Sequence, residues 1–410
     1  MRVKRLQERL KQRDFKLKTL LEITKGINNN LSTEELLDSY REIVEKELLI
    51  GRLALFVRKV DQWECAIYYG VPDGFSATAI AENIESFKNI TTIQTNMDGH
   101  FENFGLIIPV FHNETPIAYV LIGDMDDDEI RMSPIIKHMR YVQTLTNILC
   151  VAIENKQLIK NSLKQERYNT ELKLAAEMQA LMVGSGRRDY PSTEVATYYK
   201  PHNEVGGDFC DFIALNDQES FFCVADVSGK GVSAAFLMAN VQAHLRALLE
   251  HTNWTLESLA TQLNKKVVET VGGDRFVTLF MAYFHRPSRM LHYLNAGHNP
   301  PVLLNNGVLH LLESGTVGIG MLPELPFINK SEIVIGKNAI IVGYTDGVVE
   351  IENEKEEEYG YERLGKLMKE KEHSLNHVDD LISHIIHSLD IHRGKNPYFD
   401  DTALLCCRFR

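Results

Sequence analysis

Apolar residues recur at helical spacing at both ends of the first half of the chain and at strand spacing between them. Val3, Leu6, Leu10, Leu17 and Leu20 fall on heptad a and d positions, with Arg13 interrupting the seam. This predicts a helix over residues 1–25 that buries one stripe against a partner, for which a second copy is a natural candidate. Asn28-Asn29-Asn30 breaks the pattern, and Ser32-Thr33-Glu34-Glu35 reads as an N-terminal cap with acidic first-turn residues for a helix over 33–49. Short apolar runs at 53–57, 65–69, 106–110 and 117–122 predict strands, the last closed by the acidic stretch 124–129. A long helix is expected over 134–182. Leu145, Leu149, Ala152, Ile159 and Leu163 keep heptad spacing there; beyond them Tyr168, Leu172, Ala175 and Met182 restart out of phase, a break expected to act as a hinge.

Gly186, Arg187, Arg188 and Pro191 mark a boundary over 186–192. Beyond it, strands predicted at 195–199, 209–215 and 221–226 precede helices at 232–250 and 256–271. Strands return at 276–284, 290–295, 302–304 and 339–345. Helices at 362–372 and 378–387 then lead into a final strand at 402–409. Runs of strands with pairs of helices inserted argue for an α+β sandwich rather than alternating βαβ units.

At 410 residues the chain exceeds what one core usually serves, so two domains with connectors are expected. A net charge of -12 argues against nucleic acid as a partner, because phosphate binding needs a concentrated basic face. The basic residues between Arg2 and Lys18 run the other way and read as the solvated side of an amphipathic helix, with an anionic-surface anchor as the lesser alternative. Six scattered cysteines without a CxxC pair read as buried thiols in a reducing compartment. With no signal-peptide core and no apolar run near the ~18 residues of a membrane span, the expectation is a cytoplasmic chain without a transmembrane segment.

The chemistry is concentrated in four acidic segments of the second half, each beside an apolar run: Gly206-Gly207-Asp208-Phe209-Cys210-Asp211, Ala225-Asp226-Val227-Ser228-Gly229, Tyr344-Thr345-Asp346-Gly347 and Phe399-Asp400-Asp401-Thr402. Aspartate is a poor strand former, and carboxylates gathered together repel unless cations neutralise them. The pattern asks for a binuclear metal site. Two rival readings fail on the letters. Gly206-Gly207-Asp208-Phe209 lacks the acidic residue that a diguanylate cyclase needs before Phe, and Gly229-Lys230-Gly231 before a helix lacks the GxxxxGK[ST] of a Walker loop. Any one aspartate alone reads as a turn or cap; the ordered set points to metal.

Asp208 in Val-Gly-Gly-Asp-Phe, Asp226 in Asp-Val-Ser-Gly-Lys-Gly, Asn295-Ala-Gly-His-Asn-Pro-Pro301, Thr345-Asp-Gly347 and Asp400-Asp-Thr-Ala403 stand in the order of the PPM-type metal-dependent serine/threonine phosphatases. The resemblance is to the SpoIIE/RsbU partner-switching branch. It implies a β-sandwich flanked by helices over 187–410, with two Mn²⁺ or Mg²⁺ ions at one end. By the same resemblance Asp226 bridges the ions and Val227 offers its carbonyl. Asp208 serves one metal, Asp346 and Asp400 the other, and Asp401 is the alternative to Asp400. A metal-bridging water attacks the phosphoserine or phosphothreonine of a protein, with a phosphorylated STAS-domain anti-anti-sigma factor as the implied substrate. Asp211 reads as a strand-edge residue. Lys230 and His202 are possible phosphate contacts whose more ordinary reading is a solvated Lys and a loop His, and His298 reads as a turn residue. Ser228 stands where the eukaryotic enzymes have His, and no upstream phosphate-binding Arg is matched.

The order of elements in the first half, with its hairpin over 106–123, resembles a GAF sensor domain over 26–155, although the cyclic-nucleotide signature of that family is missing. Its ligand is unknown, or it binds none. The fold class expected is thus α+β: a helix over 1–25, a GAF-like α/β domain, a coiled-coil linker over 156–186 and the phosphatase-like sandwich, assembled as a homodimer. Rotation or ordering of the linker between Leu163 and Met182 is expected to reposition the helices at 232–250 and 256–271 and to complete metal binding. An inactive scaffold that binds a phosphoprotein and signals through dimerisation is the alternative function.

Overall fold

The computed structural model describes residues 2–59, 62–93, 99–112, 114–123, 134–250 and 254–410. The acidic closure expected at 124–129 and the side chain of Leu6 lie outside the described residues. The chain divides into two units, Met1–Glu166 and Arg167–Arg410.

In the first unit, α1 (Arg2–Asn28) and α2 (Thr33–Glu42) precede the strands β1 (Arg52–Lys59) and β2 (Gln62–Tyr69); α3 (Ala77–Asn83), β3 (Thr91–Thr92), β4 (Leu106–His112) and β5 (Thr115–Gly123) follow. The strands form an antiparallel sheet in the order β2-β1-β5-β4-β3. Ser32 caps α2 as expected, in a capping box with Glu35, but the helix gives way to a π-helical turn at Ile43–Glu47. One sheet face packs Leu53, Leu55, Val120 and Ile122 against Ile23, Tyr40, Leu145 and Leu149; the other packs Ala54, Phe56 and Leu121 against Ile80 and Phe104.

The helix α4 (Pro134–Val183) carries the chain out of this unit. It is continuous through Leu163, so the phase break expected there interrupts the apolar seam and not the helix. The heptad positions divide between the unit's own core and the exposed surface. Leu145 and Leu149 are spent on the unit's own core, whereas Ile159 and Leu163 are exposed. On α1, Ile23 and Thr19 are buried within the unit, and Val3, Leu10 and Leu17 are exposed.

In the second unit β6 (Gly186–Asp189), β7 (Thr193–Lys200), β8 (Phe209–Ala214) and β9 (Glu219–Val227) lead into α5 (Val232–Leu249) and α6 (Leu256–Val271). Next come β10 (Val277–His285), β11 (Met290–Ala296), β12 (Val302–Asn305), β13 (Val308–Leu311), β14 (Gly315–Thr316), β15 (Ser331–Val334) and β16 (Ile340–Tyr344). The chain ends with α7 (Asp346–Val349), α8 (Gly360–Lys371), α9 (Val378–Arg393) and β17 (Thr402–Phe409). The boundary expected at 186–192 is itself an edge strand, because β6 pairs with β7.

Two sheets result, β14-β11-β10-β9-β8 with β15 on β11, and β13-β12-β16-β17-β7-β6. Alternation along each strand builds three cores from them. Along β9, Phe222 and Val224 enter the core between the sheets, while Phe221, Cys223, Ala225 and Val227 face α5 and α6. Along β17, Ala403, Leu405, Cys407 and Phe409 face the opposite sheet, and Leu404 and Cys406 face α8 and α9. The layers are helix, sheet, sheet, helix.

The helix α5 corrects one expectation. With mean hydropathy 1.2 over 18 residues it is long and apolar enough to cross a membrane. Its Leu237, Met238, Val241 and Leu245 are nonetheless buried against the sheet and α6, as in a core helix. Five of the six cysteines are buried and all are free.

Glu194 on β7 is fully buried and ties the far end of the sandwich together: it accepts hydrogen bonds from Arg408 Nε at 2.8 Å and the Val378 amide at 3.2 Å, and pairs with Arg187 at 3.1 Å. Removing one member of such a buried network strands the others. Glu194→Ala is predicted to lower stability by about 3–5 kcal/mol, read from urea unfolding, with no change in secondary structure.

Candidate metal centre

Antiparallel pairing brings the acidic segments together. Phe209 at the start of β8 lies opposite Ala225 near the end of β9, and Leu404 near the start of β17 lies opposite Tyr344 at the end of β16. Residues just before β8 and β17, at the end of β9 and just after β16 therefore emerge at the same end of the sandwich. Asp208 and Asp400 precede β8 and β17, Asp226 is the penultimate residue of β9, and Asp346 follows β16.

Close approach, of the Asp401 side chain at Gly206 and of its backbone at Gly347, explains the flanking glycines. A Cβ on Gly206 would sit 2.1 Å from Asp401 Oδ2, and one on Gly347 would sit 2.0 Å from the Asp401 carbonyl oxygen. No side chain fits either place. Thr345 ties the second pair: its amide donates to the Ala403 carbonyl at 3.2 Å and its Oγ1 accepts from the Ala403 amide at 3.0 Å.

The carboxylates perturb one another. Burial, then the charges of Asp226 and Asp401, push the Asp208 carboxyl well above its ordinary range. Asp226 is pushed up to about 6, first by burial and then by Asp346. Asp346 is raised by burial and by Asp400, with the Gly347 amide and Lys230 opposing. Asp208 is 2% exposed, and its Oδ2 is buried without a hydrogen-bond partner.

The two neighbouring aspartates divide their work. Asp401 accepts from the His202 and Gly207 amides, both at 2.7 Å, so both its oxygens hold the loop that carries Asp208. Asp400 accepts from the Asp401 amide at 2.8 Å through Oδ1 and pairs through Oδ2 with Lys230 Nζ at 2.7 Å. The Val227 carbonyl oxygen lies 3.0 Å from where a Gly207 Cβ would be, inside the same cluster.

Other residues singled out from the sequence lie elsewhere. Asp211 makes a bidentate pair with Arg246, at 2.7 and 2.9 Å. His202 is on the loop, with Nδ1 3.0 Å from the Tyr398 carbonyl. His298 is buried, its pKa lowered to about 4 by desolvation, and its backbone is clasped by the Asn295 side chain in a turn. Sequence reasoning missed Arg275, whose Nη1 donates to the Ser228 carbonyl at 2.9 Å beside Gly229. It stands outside every quoted motif.

The cluster fits divalent cations on its chemistry. An all-oxygen donor set suits Mg²⁺ or Mn²⁺, and an orphaned, desolvated carboxylate oxygen among repelling neighbours is what a cation relieves. Among the described residues no group of three or more His, Cys, Asp and Glu side chains is placed so as to hold an ion. The fit lies in donor type and shared location, with Lys230 meeting part of the negative charge at Asp400.

A two-sheet sandwich covered by helices, with an acidic centre at one end, is the architecture of PP2C-type domains; the SiaA-PP2C domain of Pseudomonas aeruginosa matches 60% of the chain and 99% of its own length at a TM-score of 0.50 and 16% identity. Within that class, the family model for stage II sporulation protein E (SpoIIE) matches residues 216–410, inside the second unit. The chain is also similar to Protein IcfG of Synechocystis sp., 26% identical over 61% of this chain and 43% of the relative. To the phosphoserine phosphatase RsbU of Bacillus subtilis it is 25% identical over 55% of this chain and 66% of the relative. The match thus spans less than two thirds of either relative's length.

Linkage gives a test in metal-free protein. An acid whose pKa is raised on folding binds more protons folded than unfolded, so its protonated form stabilises below pH ~4 and that contribution is lost as pH rises through about 6. Asp226→Asn is predicted to be more stable than wild type without metal at pH 7, by roughly 2–3 kcal/mol, with the difference vanishing near pH 4. Added Mn²⁺ should reverse the order. Thermal unfolding with chelator and with Mn²⁺ measures both.

Proposed function

We propose that the chain is a metal-dependent protein serine/threonine phosphatase. The observation that carries this reading is the convergence of Asp208, Asp226, Asp346 and Asp400 from both sheets, with a buried Asp208 oxygen left unpartnered. Two divalent ions held there would supply an activated water and neutralise the phosphoryl oxygens. Asp226, perturbed by burial and by Asp346, Asp208 and Asp400, and the Val227 carbonyl would help to hold them. Asp208 would serve one ion and Asp346 and Asp400 the other, while Asp401 keeps the Asp208 loop in place through the His202 and Gly207 amides. Lys230, half exposed at the rim, is positioned to meet an incoming phosphate dianion.

The substrate class is a phosphorylated regulatory protein. RsbU is named a phosphoserine phosphatase, and the resemblance to its branch favours a STAS-domain protein phosphorylated on Ser or Thr. The first unit acts as a GAF-like regulatory domain, and α4 transmits its state. Exposed Leu158, Ile159 and Leu163 on α4, with Val3, Leu10 and Leu17 on α1, supply apolar surface for a homodimer.

Hydrolysis of a phosphoserine peptide or a generic phosphate ester is predicted to require Mn²⁺ or Mg²⁺ and to fall at least ~100-fold in folded Asp226→Asn and Asp346→Asn proteins. No hydrolysis with either metal would leave the non-catalytic scaffold. Sedimentation at micromolar concentration is predicted to give a dimer, and Leu163→Glu to shift it toward monomer.

A further inference from the structure

The last turns of α4 invert the usual rule of burial. Leu174, Met178 and Leu181 are exposed there, yet Gln179 is 6% exposed. Its side-chain amide is spent on one residue: Nε2 donates to the Gly206 carbonyl at 2.6 Å, and Oε1 accepts from the Gly206 amide at 3.1 Å. A planar group that both donates and accepts is needed for this pairing, and a buried peptide left without it is destabilised. The next residue along the loop, Gly207, donates to Asp401 Oδ2, and Asp208 follows.

A second glutamine fixes the same helix end from the other side. Gln242 on α5, 3% exposed, donates to the Met182 carbonyl at 3.2 Å and lies 3.4 Å from Asp211 Oδ2. The C-terminal turn of α4 is thus held both to the backbone that presents Asp208 and to the helix that follows the Asp226 loop. An axial shift of one residue, ~1.5 Å, or a rotation of ~100°, would break both hydrogen bonds of Gln179.

We infer that Gln179 is a positioning residue that sets the Gly206–Asp208 backbone, so that divalent-metal affinity depends on the register of α4 at this point. The inference rests on the metal reading of the acidic cluster. It deepens that reading by naming the residue through which the linker helix acts on it.

The test uses the full chain with Gln179→Met, which keeps volume but neither hydrogen bond, and Gln179→Glu, which keeps only the acceptor. Met178→Ala, at the exposed neighbouring position, is the control. Amide hydrogen exchange in chelator is expected to accelerate at least tenfold over residues 205–208 in both Gln179 variants while β9 and β17 keep their protection. Mn²⁺ affinity, from calorimetric titration, is expected to weaken at least tenfold, with Met178→Ala like wild type.

Exchange and affinity within twofold of wild type in both variants would overturn the inference. So would protection lost evenly across the whole domain, since that marks a residue of general stability. Wild-type protein that fails to bind Mn²⁺ while the exchange difference persists would sink the metal reading and leave the positioning role standing.

Discussion

Mutual repulsion among buried carboxylates is the constraint around which the second unit is organised. Asp208, Asp226 and Asp346 all ionise less readily than free aspartates because they are desolvated in one another's company. Nothing in their own interactions would gather them. They are held by the strands they terminate, whose opposite faces fill three apolar cores, and by glycines that let the acidic segments lie in backbone contact. The stability of the sandwich therefore sustains a locally unfavourable arrangement, the usual signature of a site built for a ligand.

The same constraint distinguishes neighbouring residues of identical type. Asp400 and Asp401 are adjacent, yet Asp401 has both oxygens on the amides of His202 and Gly207, whereas Asp400 accepts from the Asp401 amide and pairs with the half-exposed Lys230 at the rim. Asp211, two residues from Phe209, is neutralised by Arg246 and plays no part in the cluster. Environment, not residue type, decides which carboxylates are free for a cation.

Much of this was legible in the chain because strands buried on both faces leave uniform apolar runs. Residues 402–409 and 256–271 have the bounds the sequence suggested, and the aspartates sit at the strand ends where their neighbours' pattern stops. What escaped notice has weak patterning. Residues 186–189 form an edge strand from Gly, Arg and Asp, β15 is four residues beginning Ser-Glu, and β14 is two residues long. The heptads on α1 and α4 were visible, but periodicity does not say whether a stripe packs on its own sheet or on another helix. Gln179 and Arg275 were invisible for a related reason. Each acts on a backbone carbonyl or amide brought near only by tertiary folding, and neither belongs to a repeated or spaced motif.

The central claim is that these four aspartates together bind divalent cations. Anomalous diffraction at the manganese edge from crystals grown with Mn²⁺ tests it most directly. The account predicts strong peaks enclosed by Asp208, Asp226, Asp346 and Asp400, with Asp401 remaining on its loop amides. Manganese absent from that cluster at saturating concentration, or bound only elsewhere on the surface, would contradict it.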